Sequence, residues 1–392
     1  MARPDKPRAK ALGAEDTYMK SPRIHLPFLD IFRGIAILLV FLFHSLHAAY
    51  DFTELPWKGL FRDFQALHSP LVLYPLTYGP MGVAMFFVVS GFCIHMSHAR
   101  SSTHSWGEFA RKRFFRIYPP YLLALLVFYF MWPFRTYSLS SSSMQYQLFT
   151  HLFEVHNLSR DTFFGINGSF WSIAVEIQLY MIYPIMLFLV WKFGWRYGLL
   201  IVAIAELIIR ASQSIGIPLP DAVIGSPFAF WFSWSIGAFL AQRFLEKKPS
   251  PLLKLRFDVL LVLALLLPIF RPTEPYMFIA TALLTGNAIE KYAYGVWQIP
   301  KGKYLTPLIR HLSFLGIVSY SFYLIHQPIL LLIRRLPVTF YSLPFNVSPH
   351  SRFILCIVLY PLLLILACLM YRYVEMPSAK LGKAKNSSRV PA

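Results

Sequence analysis

Charge is what this sequence has least of. Asp, Glu, Lys and Arg make up only 14% of its 392 residues, against about 25% in an ordinary soluble domain. So few charges cannot clothe a water-facing surface of this size, which excludes a wholly soluble enzyme. Cysteine is scarce as well. Cys93, Cys356 and Cys368 all lie inside apolar runs, which argues against a disulfide framework or a thiol-rich metal centre. No early apolar stretch is present: "MARPDKPRAKALGAEDTYMKSPR" is polar and basic, unlike a cleavable secretory leader. No internal repeat stands out, which speaks against a transporter made of symmetric halves.

What the chain has in quantity is apolar and aromatic surface. Hydrophobic residues reach 56% and aromatics 17%, with a mean hydropathy of +0.52. The aromatics suit interfacial belts and ring-lined pockets. Ten windows have the roughly 17–25 residues that a bilayer crossing needs. They cover 28–50, 80–98, 117–133, 171–191, 198–217, 224–243, 257–272, 275–291, 312–333 and 352–371. The sequence therefore predicts an all-α, polytopic integral membrane protein of about ten transmembrane helices. A basic N-tail (1–26) and a C-tail (378–392) flank a membrane domain (27–377), with no appended soluble domain expected. Net charge is +19, but about three quarters of the Lys and Arg fall on one side of this arrangement, the positive-inside pattern. Both termini are then cytoplasmic, and the basicity reflects topology; no nucleic-acid partner is expected. The longest outer loop, 134–170, opens on "SLSSSSMQYQ", and a loop of that length is more often functional than a connector.

The first window, "LDIFRGIAILLVFLFHSLHAAY", holds ionisable groups that cost several kcal/mol inside a bilayer and usually face a protein interior. Arg33 and His44 are eleven residues apart, which at about 100° and 1.5 Å per residue puts both on one face, His44 about 16 Å further along. His47 extends that face. In the plainer reading, Arg33 reaches the headgroups and His44 makes one structural hydrogen bond. Arg111, Arg113 and Arg116 crowd "FARKRFFRIYPPYLL". Arg113 and Arg116 can present two guanidinium forks to one side, which suits diphosphate, although positive-inside anchoring alone explains many such clusters. Glu176 lies about a turn into the fourth window and His326 in the outer half of the ninth. His44, Glu176 and His326 are thus expected at similar depth, above a cytoplasmic arginine group. Trp171 at the outer interface is placed to stack on a sugar ring, and a structural hydrogen bond near Tyr320 and Tyr323 competes with a substrate role for His326. His95, His98 and His104 have no helical metal-ligand spacing with a carboxylate, so no metal is expected.

On those residues the chain resembles the acyltransferase 3 family, polytopic enzymes that acylate extracytoplasmic carbohydrates and some small molecules. "LDIFRGIAILLVFLFH", "FFVVSGF", "RKRFFRIYPPY", "WSIAVEIQLYMIYP", "SYSFYLIHQPIL" and "YRYVEMP" resemble family segments in the family's order. The resemblance implies that acyl-CoA, acetyl-CoA first, serves from the cytoplasm as co-substrate, with no tightly bound cofactor. The acceptor is a hydroxyl of an extracytoplasmic glycan or lipid-linked glycan, as in O-acetylation of polysaccharide at a bacterial inner membrane. Carried over, His44 matches the catalytic histidine, Arg33 its partner, and Arg113 and Arg116 the basic motif tied to the donor. Two positions depart from the family pattern: Ile177 follows Glu176 where a second glutamate is frequent, and Ala84 replaces a common acidic residue. His44 is expected as general base or acyl acceptor, with Glu176 orienting it. A small-anion transporter using Arg33 and His44 is the main alternative. A glycosyltransferase is a second alternative, but the outer segments show no paired acidic motif.

Overall fold

A computed structural model describes residues 26–50, 71–101, 105–131, 141–335 and 348–383. The expected tails, apart from residues at their inner edges, and His104 lie outside the described residues. Within them the backbone is helical, with no strand. In chain order the helices are α1 (Pro27–Ala49), α2 (Pro80–Ala99), α3 (Trp106–Phe130), α4 (Ser142–Leu152), α5 (Arg160–Phe163), α6 (Trp171–Ser214), α7 (Asp221–Ile224) and α8 (Trp231–Leu245). They continue with α9 (Phe257–Leu266), α10 (Met277–Ala293), α11 (Leu305–Ile317), α12 (Ser319–Arg335), α13 (Pro349–Val358), α14 (Tyr360–Met370) and α15 (Met376–Leu381).

Among the described residues, five helical stretches are long and apolar enough to cross a bilayer, six if the bent pair α11–α12 counts as one. Proline and glycine explain why other windows are less regular. α6 has 44 residues, about 66 Å of helix, roughly twice a bilayer's hydrocarbon core. It folds as two pieces because Gly194 takes φ +76°, a conformation costly for any side chain with a Cβ. α9 stops after ten residues where Pro268 follows, continuing as a short 3-10 turn.

The ninth window was expected as one span over 312–333. Instead α11 and α12 meet at an 84° bend. The reason lies in α1: a Cβ on Gly34 would overlap the Leu312 carbonyl, and one on Gly316 would overlap the Asp30 carbonyl. These two glycines let α11 run antiparallel along α1, and the chain must then turn before α12 can run beside the C-terminal half of α1. Phe41 meets Phe322 edge-on at 5.8 Å, and His44 meets His326 one turn further on.

The expected outer loop also departs from a simple connector. Its segment 141–168 folds back between α3 and α6. Tyr118 and Tyr121 donate hydrogen bonds to the carbonyls of Leu152 and His151, each at 2.9 Å. Gln178 donates to the Glu154 carbonyl at 2.8 Å. Tyr121 lies nine residues before the end of α3 and Gln178 seven after the start of α6, so the fold-back reaches about 10–14 Å below the helix ends. Buried donors on both helices need acceptors, and this segment supplies them.

Small residues set the remaining contacts, as is usual where lipid removes the hydrophobic drive between helices. A Cβ on Gly91 would strike the Trp234 carbonyl and one on Gly237 the Val88 carbonyl, so α2 and α8 touch backbone to backbone around a fully buried Trp234. Overpacking typically costs about 1–3 kcal/mol. Gly237→Leu should reach the upper end, about 3 kcal/mol, and lower the unfolding temperature in detergent. Gly302→Leu, where a Cβ would meet only the Leu305 side chain at 3.9 Å, should leave it unchanged; equal melting of the two variants would contradict the backbone contact.

Candidate functional site

Two chambers lie along α1. The one beside the C-terminal half of α1, called outer after the expected topology and about 710 Å³, is lined by His44, His47, Trp171, Asn167 and Gln327 among mainly apolar neighbours. The inner one, about 430 Å³, is lined by Arg33, Arg113, Arg116, Glu176 and Tyr320. Val83 and Tyr323 line both, so the chambers share a wall. The hydroxyl of Tyr323 is held against Ser172 at 2.6 Å. Arg33 and His44 thus open from one helix into adjoining spaces.

In the outer chamber His44 Nδ1 lies 2.8 Å from His326 Nε2. The other nitrogen of His326, Nδ1, faces the carbonyls of Tyr323 and Phe322 at 2.8 and 3.1 Å. His326 is fully buried. Two residues later Pro328 cannot donate to the Leu324 carbonyl; Asn167 Nδ2 fills that place at 2.9 Å. Asn167 in turn accepts from the Ser169 amide at 3.0 Å. Ser169 also donates to Gln327 Oε1 at 2.5 Å. The fold-back segment is therefore laced to the turn of α12 that carries His326.

Trp171 lines the chamber, but its ring is already engaged. Phe163 stacks on it at 5.5 Å and Phe230 tilts against it at 5.7 Å. Phe164, on the same rim and 69% exposed, is the more open ring. The sequence hid it among other phenylalanines.

The inner chamber contains the arginines as expected, with differences in detail. Arg33 Nη1 pairs with Asp30 at 2.9 Å, and its Nη2 donates to Cys93 Sγ at 3.0 Å. Arg116 Nη2 lies 3.5 Å from the fully buried carboxylate of Glu375, which also accepts from Ser321 Oγ at 2.7 Å. Arg113 has no carboxylate partner among the described residues; its guanidinium stands over the Phe109 ring at 5.6 Å. Arg111 lies outside both chambers and points to the Leu381 carbonyl at 3.5 Å. Successive residues on a helix cannot all face one way, which separates Arg111 from its neighbours.

Two further expectations change place. Glu176 was expected at the level of His44. It lines the inner chamber instead, accepting from Ser90 and Tyr180 at 2.5 Å each, while His44 is held by His326. Tyr320 lines the inner chamber too, and donates to the Ile117 carbonyl at 2.8 Å. Depth counted along separate helices misses tilt, and the α11–α12 bend moves the ninth window's register. Glu375 is the charged residue sequence reasoning passed over. It ends a π-helical turn, Tyr371–Glu375, a distortion that often accompanies functional positions. Its signal in the sequence was a lone Glu in "YRYVEMP".

His95 and His98 serve packing: His95 bonds Gln242 and Tyr183, each at 2.8 Å, and His98 stacks on Trp106. Among the described residues no group of three His, Cys, Asp or Glu side chains is arranged to hold a metal.

The chain is similar to a nodulation protein 10 of Rhizobium leguminosarum bv. viciae, 32% identical over 154 residues, 34% of this chain and 40% of that protein. It is also similar to a regulator of hypoxia-inducible factor 1 of Caenorhabditis elegans, 29% identical over 200 residues, 47% of this chain and 39% of that protein. The matches thus span about two fifths of each relative's length. No solved structure matches the chain. The acyltransferase domain model of the acyltransferase 3 family matches residues 26–372, and with nearly all of the helical domain inside that match, the chain belongs to this family.

Proposed function

We propose that the protein is a membrane O-acyltransferase. It moves an acyl group, acetyl first, from cytoplasmic acyl-CoA to a hydroxyl of an extracytoplasmic glycan, free or lipid-linked. In this reading the domain has ten spans with both termini cytoplasmic and sits in a bacterial inner membrane. The carrying observation is the pair of adjoining chambers, one with a cationic lining and the other with His44. A diphosphate needs guanidinium forks; an attacking alcohol needs a base. The roughly 16 Å along α1 between Arg33 and His44 separates these tasks, and the extended arm of the donor bridges them.

The step balances without another reactant. His44 Nε2 takes the hydroxyl proton as the acceptor oxygen attacks the thioester carbonyl. The carbon–sulfur bond breaks, and the imidazolium returns the proton to the leaving thiolate. Gln327, with its side-chain oxygen held by Ser169, has its amide nitrogen available as a donor in this chamber.

Label transfer from acetyl-CoA to glycan in sealed inside-out vesicles tests the reading. His44→Ala should lose about 10²–10⁴-fold, the usual contribution of a positioned base; undiminished transfer would end the assignment. No transfer by the native protein from acetyl-, succinyl- or longer acyl-CoA, with acceptor present, would favour a transporter.

Arg113 is the inner-chamber arginine with no carboxylate to release. A charge-assisted hydrogen bond is worth about 1.5–3 kcal/mol, or about 10- to 100-fold in affinity. Arg113→Ala should raise the donor KM by about that factor and leave kcat within a few-fold, as steady-state kinetics would show. Glu176→Gln should likewise alter the donor KM and spare the acceptor KM. A change confined to the acceptor would place Glu176 functionally with His44.

A further inference from the structure

His326 sits where it can decide which nitrogen of His44 is the base. This inference rests on the reading of His44 as that base. Carbonyl oxygens only accept hydrogen bonds, so His326 Nδ1, facing two of them at 2.8 and 3.1 Å, must carry a proton. The alternative would press a nitrogen lone pair against oxygen lone pairs. His326 is fully buried and has no carboxylate partner among the described residues, and an unpaired charge there would be costly, so the ring has only that one N–H. Its Nε2 is then bare and can only accept. Across the 2.8 Å contact the donor is His44 Nδ1. With its proton on Nδ1, His44 presents an unprotonated Nε2.

We propose that His326 is the positioning residue of the reaction, fixing His44 in the tautomer whose Nε2 lone pair serves the outer chamber and holding the imidazolium formed during transfer. It performs the task a carboxylate performs in hydrolase triads, with a neutral ring in place of a buried anion. The proton bound for the leaving thiolate stays on Nε2, because Nδ1 is already committed. The roll of His326 changes accordingly: it meets His44, with substrate one residue removed.

The test compares His44→Ala, His326→Leu and His326→Gln in vesicles or nanodiscs, reading kcat, the KM for acetyl-CoA and the nitrogen-15 signature of the His44 ring. Holding the wrong tautomer costs a hydrolase about 10⁴-fold, and His326→Leu should lose about 10²–10⁴-fold in kcat with donor KM unchanged. Gln accepts through its side-chain oxygen, so His326→Gln should stay within about tenfold of native and keep the Nδ1–H signature. If His326→Gln is as impaired as His326→Leu would be, or the His44 ring carries its proton on Nε2 in the native protein, the proposal fails. Its failure is separable from that of the base assignment. An active His44→Ala overturns both, whereas an inactive His44→Ala beside a fully active His326→Leu overturns only the role of His326.

Discussion

The cost of stripping water from charge governs this molecule. A buried ionisable group is usually paired, hydrogen-bonded or given a cavity, and several of those in the bundle follow that rule, while Glu154 is buried with neither carboxylate oxygen hydrogen-bonded among the described residues. Arg33 leans on Asp30 and Arg116 on Glu375. Glu206 is buried with Arg210 and accepts from the amide and hydroxyl of Ser233. Glu290 accepts from the amide and hydroxyl of Ser250. Glycine contacts make this economy workable, because α1, α2, α8 and α11 come close enough for short side chains to reach across. The inner chamber is lined by such satisfied groups together with Arg113, which has no carboxylate partner among the described residues.

The family signature and the arrangement of α1 were legible in the sequence. Eleven residues on a helix fix an angle and a rise, so Arg33 and His44 had to share a face, and they open into successive chambers. The cationic inner group was legible for the same reason, since Arg113 and Arg116 lie one turn apart. Relations between helices were not. Glu176 and His44 look level when counted from their helix ends, yet Glu176 bonds Ser90 and Tyr180 while His44 bonds His326. The 84° bend before α12 depends on where Gly34 and Gly316 meet their neighbours, which no single helix records.

The sequence marked the segment before α6 by its length and its serine-rich opening, but not by any sign that it folds back between α3 and α6. The Phe149 and Phe153 rings are exposed, while the backbone beside them satisfies Tyr118 and Tyr121. Average polarity hides that division, because inward hydrogen bonds from backbone carbonyls leave no mark in composition.

Pro328 gives this segment a mechanical meaning. By withholding one amide hydrogen it leaves the Leu324 carbonyl to Asn167, a residue of the outer chamber's rim. With the Ser169–Gln327 hydrogen bond, rim and helix are thereby stitched within a turn of the imidazole that touches His44. The mouth of the chamber and the alignment of the histidine pair at its base are thus built on one shared piece of scaffold.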